Sequence, residues 1–327
     1  MTHGGTMTQR HSTLALLFAI TALLLAGSGR PASAWDEPAP ALPALLSRAA
    51  APAGAGTVMY FPVIFNNAPP QAIVIDHTTI DISLIPPEWI TAARAFVIHY
   101  AHTSHGSQVL TGLAWLEGQD PAYAVQITAN GSVVNPATPG SLSFYDGNNY
   151  PGNTYITPDM YWEYADGVTH TRSVANTAWF DYSTWTWCGQ ASSYSTEQIA
   201  LYLATLDGLE QDYPGMRFIY MTGHTDGSGP SGDLYRNNNQ IRQYARDHAR
   251  VLFDFADIES YDPDGIYYPD TTDACPWCAT YCAAHPSYCT NFDAMGDCAH
   301  THKLLCKMKA QAWWWLMARL AGWPGPS

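Results

Sequence analysis

Between residues 95 and 258 the chain alternates short apolar runs with longer stretches of helical spacing. Apolar runs of strand length that end in polar turns predict strands at residues 95–101, 178–187, 217–221 and 251–258. Apolar positions that recur every three or four residues predict helices at residues 107–116, 195–213 and 233–250. Strands and helices that alternate in this order build a parallel sheet, so the predicted fold class is α/β.

The flanking segments are less regular. Residues 58–65 have strand composition, but Pro62 restricts them to the edge of a sheet. Residues 121–144 mix short apolar runs with turn signals, which indicates a small β excursion. Residues 303–323 predict a closing helix that ends at Gly322 and Pro324, with tryptophans that pack on the sheet.

The first 34 residues have the organisation of a secretory signal peptide. Arg10 precedes an apolar run at residues 13–27, and the small-residue sequence ASA forms a cleavage site before Trp35. A transmembrane anchor is the alternative, but the run is shorter than the roughly 20 residues that a span requires. We therefore expect a secreted, extracellular protein that is not inserted in a membrane after cleavage.

Residues 35–56 are rich in alanine and proline and are expected to form a linker, so the folded region is residues 57–327. The whole chain has a formal net charge of −14, and removal of the signal peptide makes it more acidic because Arg10 and Arg30 leave with it. Such a chain repels nucleic acid and anionic membrane surfaces. It is compatible with a neutral extracellular substrate.

Six of the seven cysteines fall between residues 275 and 306, and Cys188 stands apart. In an exported chain this clustering predicts three disulfides that staple a segment with little core of its own, and it leaves one free thiol. Zinc is the competing interpretation, because Cys275 and Cys278 have metal-ligand spacing. The sequence has no second C-x-x-C pair to complete a zinc site, so we expect no metal and no cofactor.

Ser104 is the candidate nucleophile. It follows the first predicted strand, at the edge of a parallel sheet where ligands bind, and it precedes the first predicted helix. Free N–H groups at a helix start favour a developing oxyanion. The alternative is that Ser104 only caps the helix.

A base and an acid for Ser104 are found near the C-terminus. In Asp297-x-x-His300 the carboxylate can orient the imidazole and stabilise it when it takes the proton of the serine. His302 and His105 are rival bases. His105 is the weaker rival, because a residue adjacent to the nucleophile usually points elsewhere.

Residues 145–187 are rich in tyrosine, tryptophan, glycine and asparagine. Aromatic rings between polar side chains suit stacking on sugars, so Trp162 and Trp185 are candidate substrate-binding residues, together with Gln190 beyond the next strand end. The alternative is that these rings pack a long insertion onto the sheet.

Taken in chain order, Ser104, Gly189, the segment 223–226 and the pair Asp297 and His300 resemble the four sequence blocks of the SGNH (GDSL-type) hydrolase superfamily. The resemblance implies a flavodoxin-like three-layer α/β/α sandwich and an esterase, lipase or carbohydrate acetyl-esterase activity. It also implies that Ser104 is the nucleophile and first oxyanion donor and that Gly189 is the second donor. Asp297 and His300 would complete the triad.

The chain departs from the family pattern at two of the blocks. HTSHG replaces the usual G-D-S around the nucleophile, and GHTD has Thr225 where the family has its oxyanion asparagine. The hydroxyl of Thr225 or the ring of His224 is then the expected replacement donor. Loss of one such donor elsewhere costs about 3 kcal/mol of transition-state stabilisation.

The sequence thus predicts a secreted serine hydrolase of SGNH type that cleaves a small-molecule or polysaccharide ester through Ser104, His300 and Asp297. A non-catalytic carbohydrate- or surface-binding protein on the same scaffold is one alternative. The other is a metal-dependent hydrolase whose ligands are His224, Asp226, His300 and His302.

The signal peptide and the cysteine pattern together predict an intact mass. The secreted protein should begin at Trp35 and contain three disulfides and one thiol, so alkylation should add one adduct before reduction and seven after it. Mass spectrometry with and without reductant measures both numbers. Seven adducts before reduction would rule out the disulfide framework and favour the zinc interpretation.

Overall fold

Within residues 71–326, which the computed structural model describes, seven strands join in one sheet. The strands are β1 (Ile73–Ile75), β2 (Val97–His102), β3 (Val125–Ala129), β4 (Leu142–Asp146), β5 (Tyr182–Thr186), β6 (Arg217–Met221) and β7 (Val251–Phe253). The helices are α1 (Pro87–Ala93), α2 (Ser107–Gln119), α3 (Ala165–Ala175), α4 (Gln190–Ser193), α5 (Thr196–Asp212), α6 (Asp233–Asp247), α7 (Phe255–Ser260), α8 (Cys278–Ala284) and α9 (Lys303–Leu320). The predicted signal peptide, linker and edge strand at residues 58–65 lie outside the described residues.

All strand pairs are parallel, and their order across the sheet is β1-β7-β6-β5-β2-β4-β3. The strands β4-β2-β5-β6-β7 have the flavodoxin-like order 2-1-3-4-5, and β3 and β1 extend the two edges. The chain leaves β2 in one direction through β3 and β4 and then returns to the other side of β2 through β5. The boundary between β2 and β5 is therefore the topological switch point, where ligands bind outside the carboxyl ends of the strands.

Helices cover both faces of the sheet. Because β-α-β crossovers are right-handed as a rule, connections that run in opposite directions from β2 and β5 place α2 on one face and α5 and α6 on the other. α2 packs against α9, and α5 packs against α6. The result is the three-layer α/β/α arrangement that the sequence predicts.

The central strands are buried, although β5 carries Ser183, Thr184 and Thr186 among its aromatic residues. Every residue of β2 and β5 is buried, and so is β6 after its first residue, Arg217. α5 begins with a capping box, because Ser195 Oγ accepts the Gln198 N–H and Gln198 Oε1 accepts the Ser195 N–H. α9 confirms the closing helix, and its Trp313 and Trp314 have no exposed surface.

Several segments differ from the prediction. Residues 121–144 contain β3 and the start of β4, which extend the main sheet at its edge instead of forming a separate excursion. The strand predicted at residues 251–258 ends at Phe253, because Asp254 caps α7 by accepting the Asp257 N–H. Helix α3 lies inside the aromatic region, where the sequence pattern predicts no helix.

The cysteine-rich segment forms three local disulfides, which are Cys275–Cys278, Cys282–Cys289 and Cys298–Cys306. Cys188 is the free cysteine of the described chain. This confirms the prediction of three disulfides and one thiol, and it assigns the C-x-x-C pair to a disulfide and not to zinc. Disulfides of this kind indicate an oxidising environment.

None of the helices in residues 71–326 has the length and hydropathy of a membrane span.

Gly112 determines how closely α2 approaches α9. A Cβ at this position would overlap the backbone carbonyl of Cys306, whereas Gly118 on the same helix has open space around it. We expect Gly112→Ala to lower the free energy of unfolding by about 1–3 kcal/mol through overpacking. Gly118→Ala should raise it by up to about 1 kcal/mol, because alanine is the better helix former. Urea denaturation measures both changes, and a Gly112→Ala protein as stable as the wild type would be inconsistent with this close packing.

Candidate active site at the switch point

Three loops meet at the carboxyl edge of the sheet, around the switch point. The loop after β2 carries Ser104 and His105, the loop after β5 carries Cys188, and the loop after β6 carries His224. The first of these loops is a 3₁₀ turn. Its last residue, Gly106, lies so close to β2 and β5 that a side chain there would overlap a strand residue. The turn therefore folds tightly against the ends of the two central strands.

The thiol of Cys188 is the centre of the site. Its Sγ lies 3.1 Å from Nδ1 of His105, and Nε2 of the same ring lies 3.0 Å from a carboxylate oxygen of Asp273. His105 is buried, whereas Cys188 and Asp273 are partly accessible. A thiol, an imidazole and a carboxylate joined in this order have the arrangement of a nucleophile, a base and an orienting acid.

His224, one of the predicted oxyanion donors, supplies a second imidazole to the same thiol. Its ring stacks on that of His105 with a centroid distance of 3.8 Å and an interplanar angle of 4°. Its Nδ1–H donates to the carbonyl oxygen of Thr225 at 2.8 Å, which leaves Nε2 on the side of Cys188. Burial acts to lower the pKa of His224, but the hydrogen bond with the sulfur and the nearby carboxylate of Glu259 raise the pKa overall.

These contacts make Cys188 an acidic thiol. Burial acts to raise its pKa, but hydrogen bonds with His105, His224 and Ser104 outweigh burial and lower the pKa to about 4. That value lies within the range of roughly 3.5–7.5 found for activated cysteines. At neutral pH the group is a thiolate, which is the nucleophilic form of cysteine.

Ser104 and His300, the predicted nucleophile and base, both reach this site. Ser104 Oγ lies 3.5 Å from Cys188 Sγ. The ring of His300 is exposed and stacks on His105 at a centroid distance of 4.6 Å. Among the hydrogen bonds of the described residues, none joins Ser104 to His300. The rival base His105 is the one at the thiol, and the rival His302 caps α9 through its Nδ1.

The other predicted triad and oxyanion residues are placed differently. The side chain of Asp297 is exposed, and in the described part of the chain it forms no hydrogen bond with His300. Gly189 is the exposed residue before α4, next to the thiol-bearing residue. The hydroxyl of Thr225 donates to a carboxylate oxygen of Glu259 at 2.9 Å, so its proton is already used in the core.

The predicted substrate-binding residues divide between core and site. Trp162 and Trp185 are 1% and 0% exposed, and their rings pack against each other at a centroid distance of 5.9 Å. In this structure neither ring offers a face to a sugar, so the packing alternative describes them. Gln190 does lie at the site, because its Oε1 accepts the backbone N–H of Cys188 at 2.9 Å.

The same cluster has the composition of a metal site. The ligand atoms of Cys188, His105 and His224 lie within 4.8 Å of one another, a spacing that a metal ion can bridge. However, the lone pair of an imidazole nitrogen lies in the ring plane, and these two rings are stacked within 4° of parallel. Their lone pairs run side by side, so one ion cannot lie in both ring planes. The arrangement suits a hydrogen-bonded thiolate better than a metal centre.

Sequence reasoning does not identify Cys188 or Asp273 as site residues. Cys188 carries two signals, because it is the odd cysteine of an exported chain and it directly follows a predicted strand. Asp273 carries no local signal, because it contacts His105 across 168 residues of sequence. Folding alone brings that pair together.

No protein-family model and no curated protein matches the chain. Among solved structures, similarity is found to TubZ of the Clostridium botulinum phage c-st, in a form with a truncated C-terminal tail, at 9% identity and a TM-score of 0.25. The similar region covers 64% of this chain and 65% of that protein. A similarity at this level carries no argument about fold or function.

The lowered pKa of Cys188 predicts how its reactivity depends on pH. The alkylation rate of an ordinary thiol falls about tenfold for each pH unit below its pKa of about 8.5. Cys188 should instead react with iodoacetamide at a nearly constant rate between about pH 8 and about pH 6, because its thiolate persists until the pH approaches about 4. Mass spectrometry of unreduced protein follows the rate. His105→Ala should shift the fall in rate to higher pH, because it removes the largest of the hydrogen bonds that lower the pKa of Cys188. A wild-type rate that fell tenfold per pH unit would disprove the acidic thiol.

Proposed function

We propose that this protein is a secreted hydrolase that cleaves an ester through the thiolate of Cys188. The observation that carries the proposal is the series of hydrogen-bond contacts from Cys188 Sγ to His105 at 3.1 Å and from His105 to Asp273 at 3.0 Å. The proposal keeps the SGNH-type ester chemistry that the sequence predicts. It replaces serine by cysteine as the nucleophile and His300 by His105 as the base.

In the first half of the reaction, the Cys188 thiolate attacks the acyl carbon of the ester, and the carbonyl electrons move to the carbonyl oxygen. When the tetrahedral intermediate collapses, the bond to the alcohol oxygen breaks. His105, as an imidazolium, gives its Nδ1 proton to that oxygen. Asp273 orients the ring and stabilises its charge. The products are a free alcohol and a thioester at Cys188.

In the second half, His105 is neutral and takes a proton from water while the water oxygen attacks the thioester carbon. The carbon–sulfur bond then breaks and releases the acid. The thiolate and the imidazolium are regenerated, so the cycle closes without a cofactor.

Ser104 fits the role of an oxyanion donor in this scheme. Its hydroxyl lies 3.5 Å from the sulfur, close to where the carbonyl group of a bound ester must lie. The backbone N–H of Cys188 is already used by Gln190 Oε1. A hydroxyl that donates to the developing oxyanion typically contributes about 10²–10³-fold to kcat.

A second candidate is the predicted serine hydrolase, with Ser104 itself as the nucleophile. The contact between Ser104 Oγ and Cys188 Sγ supports it, because the contact places the hydroxyl within the same site. The family resemblance in block order supports it as well. Cys188 is the better candidate because a thiolate is already ionised, whereas a serine hydroxyl must lose its proton during the attack.

The extracellular location and the neutral substrate are part of the proposal. The signal-peptide pattern of residues 1–34 and the three disulfides support secretion. The acidic composition favours an uncharged ester, either a small molecule or an acylated polysaccharide.

Substitution of each nucleophile separates the two candidates. Cys188→Ala should lower kcat on a small acetyl ester by at least about 10³-fold, because it removes the attacking atom. Ser104→Ala should lower kcat by about 10²–10³-fold. It should shift the pH dependence of thiol alkylation only slightly, because the hydrogen bonds with His105 and His224 lower the pKa of Cys188 more than the one with Ser104 does. Steady-state kinetics on folded, purified variants measure both losses.

The acyl-enzyme identifies the nucleophile directly. Rapid acid quenching during turnover, followed by peptide mapping, should find the acyl group on Cys188, and Ser104→Ala should still form this adduct. A fluorophosphonate should label neither residue rapidly. An acyl group on Ser104 would reject the cysteine mechanism and establish the serine hydrolase.

A further inference from the structure

An ion pair lies in the core beside the site. Lys309 Nζ on α9 is 2.6 Å from Glu259 Oε1 on α7, and neither side chain has exposed surface. Lys309 also donates to Gln108 Oε1 on α2. Compared with apolar residues of similar volume, a buried ion pair contributes little or nothing to stability. Its presence in this core therefore calls for a different explanation.

Glu259 uses its second carboxylate oxygen to hold the loop after β6. Glu259 Oε2 accepts the backbone N–H of Thr225 at 2.7 Å and the hydroxyl of Thr225 at 2.9 Å. Lys309, at the other oxygen, keeps the carboxylate in the orientation that these two hydrogen bonds need. Thr225 is itself buried, and these two hydrogen bonds hold its backbone in place.

The carbonyl oxygen of Thr225 in turn orients two groups of the site. It accepts the Nδ1–H of His224 at 2.8 Å and the backbone N–H of Asp273 at 3.0 Å. The first hydrogen bond fixes the orientation of the His224 ring, so that Nε2 faces Cys188. The second places the residue whose carboxylate holds His105.

We propose that Glu259 is a positioning residue of the Cys188 site and acts by accepting the two hydrogen bonds of Thr225. Through Thr225 it sets the orientation of the His224 ring and the location of Asp273, although it touches neither the thiol nor His105. The catalytic consequence rests on the proposed function. The effect on the reactivity of the thiol does not, because alkylation measures it without any substrate.

Two double variants isolate this role. Both remove the buried charges, so neither leaves an unpaired ion in the core. Glu259→Gln with Lys309→Met keeps an acceptor oxygen for Thr225, whereas Glu259→Leu with Lys309→Met does not. If Glu259 acts through its hydrogen bonds, only the leucine variant should lose the reactivity of Cys188.

The measurement is the rate at which iodoacetamide alkylates Cys188 near pH 6 in folded, unreduced protein. The glutamine variant should stay close to the wild-type rate. In the leucine variant Cys188 should be alkylated at least about tenfold more slowly. Tenfold is the lower bound of the loss that follows when a group that orients a functional histidine is removed. Turnover of a small ester should follow the same order, with the change in kcat and not in KM.

Glu210→Gln is the matched control for the loss of a largely buried carboxylate. Glu210 accepts the backbone N–H of Phe218 at 3.4 Å and pairs with Arg250 at 3.3 Å, at the opposite end of β6. This variant removes a comparable carboxylate but lies away from the thiol. It should leave the alkylation rate unchanged.

Wild-type reactivity of Cys188 in both double variants would overturn the proposal. A loss of reactivity in both would overturn it as well, because the charge of Glu259 and not its acceptor oxygen would then be what matters. If the leucine variant does not fold, Thr225→Val replaces it, because it removes the 2.9 Å contact and keeps the ion pair. It should also slow alkylation, and an unchanged rate would overturn the proposal. If the wild type hydrolyses no ester, the proposed function fails while the alkylation comparison still decides this inference.

Discussion

The buried ion pair between Lys309 and Glu259 is the contact on which the structure around the Cys188 site depends. Removal of one partner from such a pair costs roughly 3–5 kcal/mol, because it leaves an uncompensated charge in the core. The pair and its contact with Gln108 therefore fix α9, α7 and α2 relative to one another. Gln108 also donates to the carbonyl oxygen of Ala299 at 2.5 Å, which joins the cysteine-rich segment to α2. One electrostatic requirement thus organises helices that are far apart in sequence.

Most of the sheet could be predicted from the local hydrophobic pattern. β2 and β6 are buried on both faces, and each appears in the sequence as a largely apolar or aromatic run. β5 is equally buried but alternates aromatic residues with serine and threonine. The edge strands could not be predicted in the same way. β1 has three residues and only one of them is fully buried, and in β3 only Val125 is buried. The pairing of such strands is decided by neighbours that are distant in sequence.

The loop of the candidate site could be predicted, but the sulfur at its centre could not. Ser104 lies in this loop, and its neighbour His105 contacts the same sulfur, whereas the sequence predicts that this neighbour points elsewhere. In a 3₁₀ turn successive side chains are separated by about 120°, and the sulfur of Cys188 lies where both Ser104 and His105 reach it. That coincidence depends on β5 lying beside β2. Asp273 reaches the site through a backbone contact with Thr225, and no sequence pattern encodes that contact.

The three disulfides close loops with sequence separations of only 3, 7 and 8 residues, and all of them lie inside the cysteine-rich segment. Cross-links over such short loops remove less freedom from the unfolded chain than long ones do, and they do not join the segment to the sheet. The residues of the site are therefore held in place by different parts of the structure. The thiol and both imidazoles stand on strand ends that a reductant leaves intact, whereas Asp273 lies two residues before a cystine that a reductant opens. We expect a reducing environment to loosen the acid of the site first, while the nucleophile stays in place.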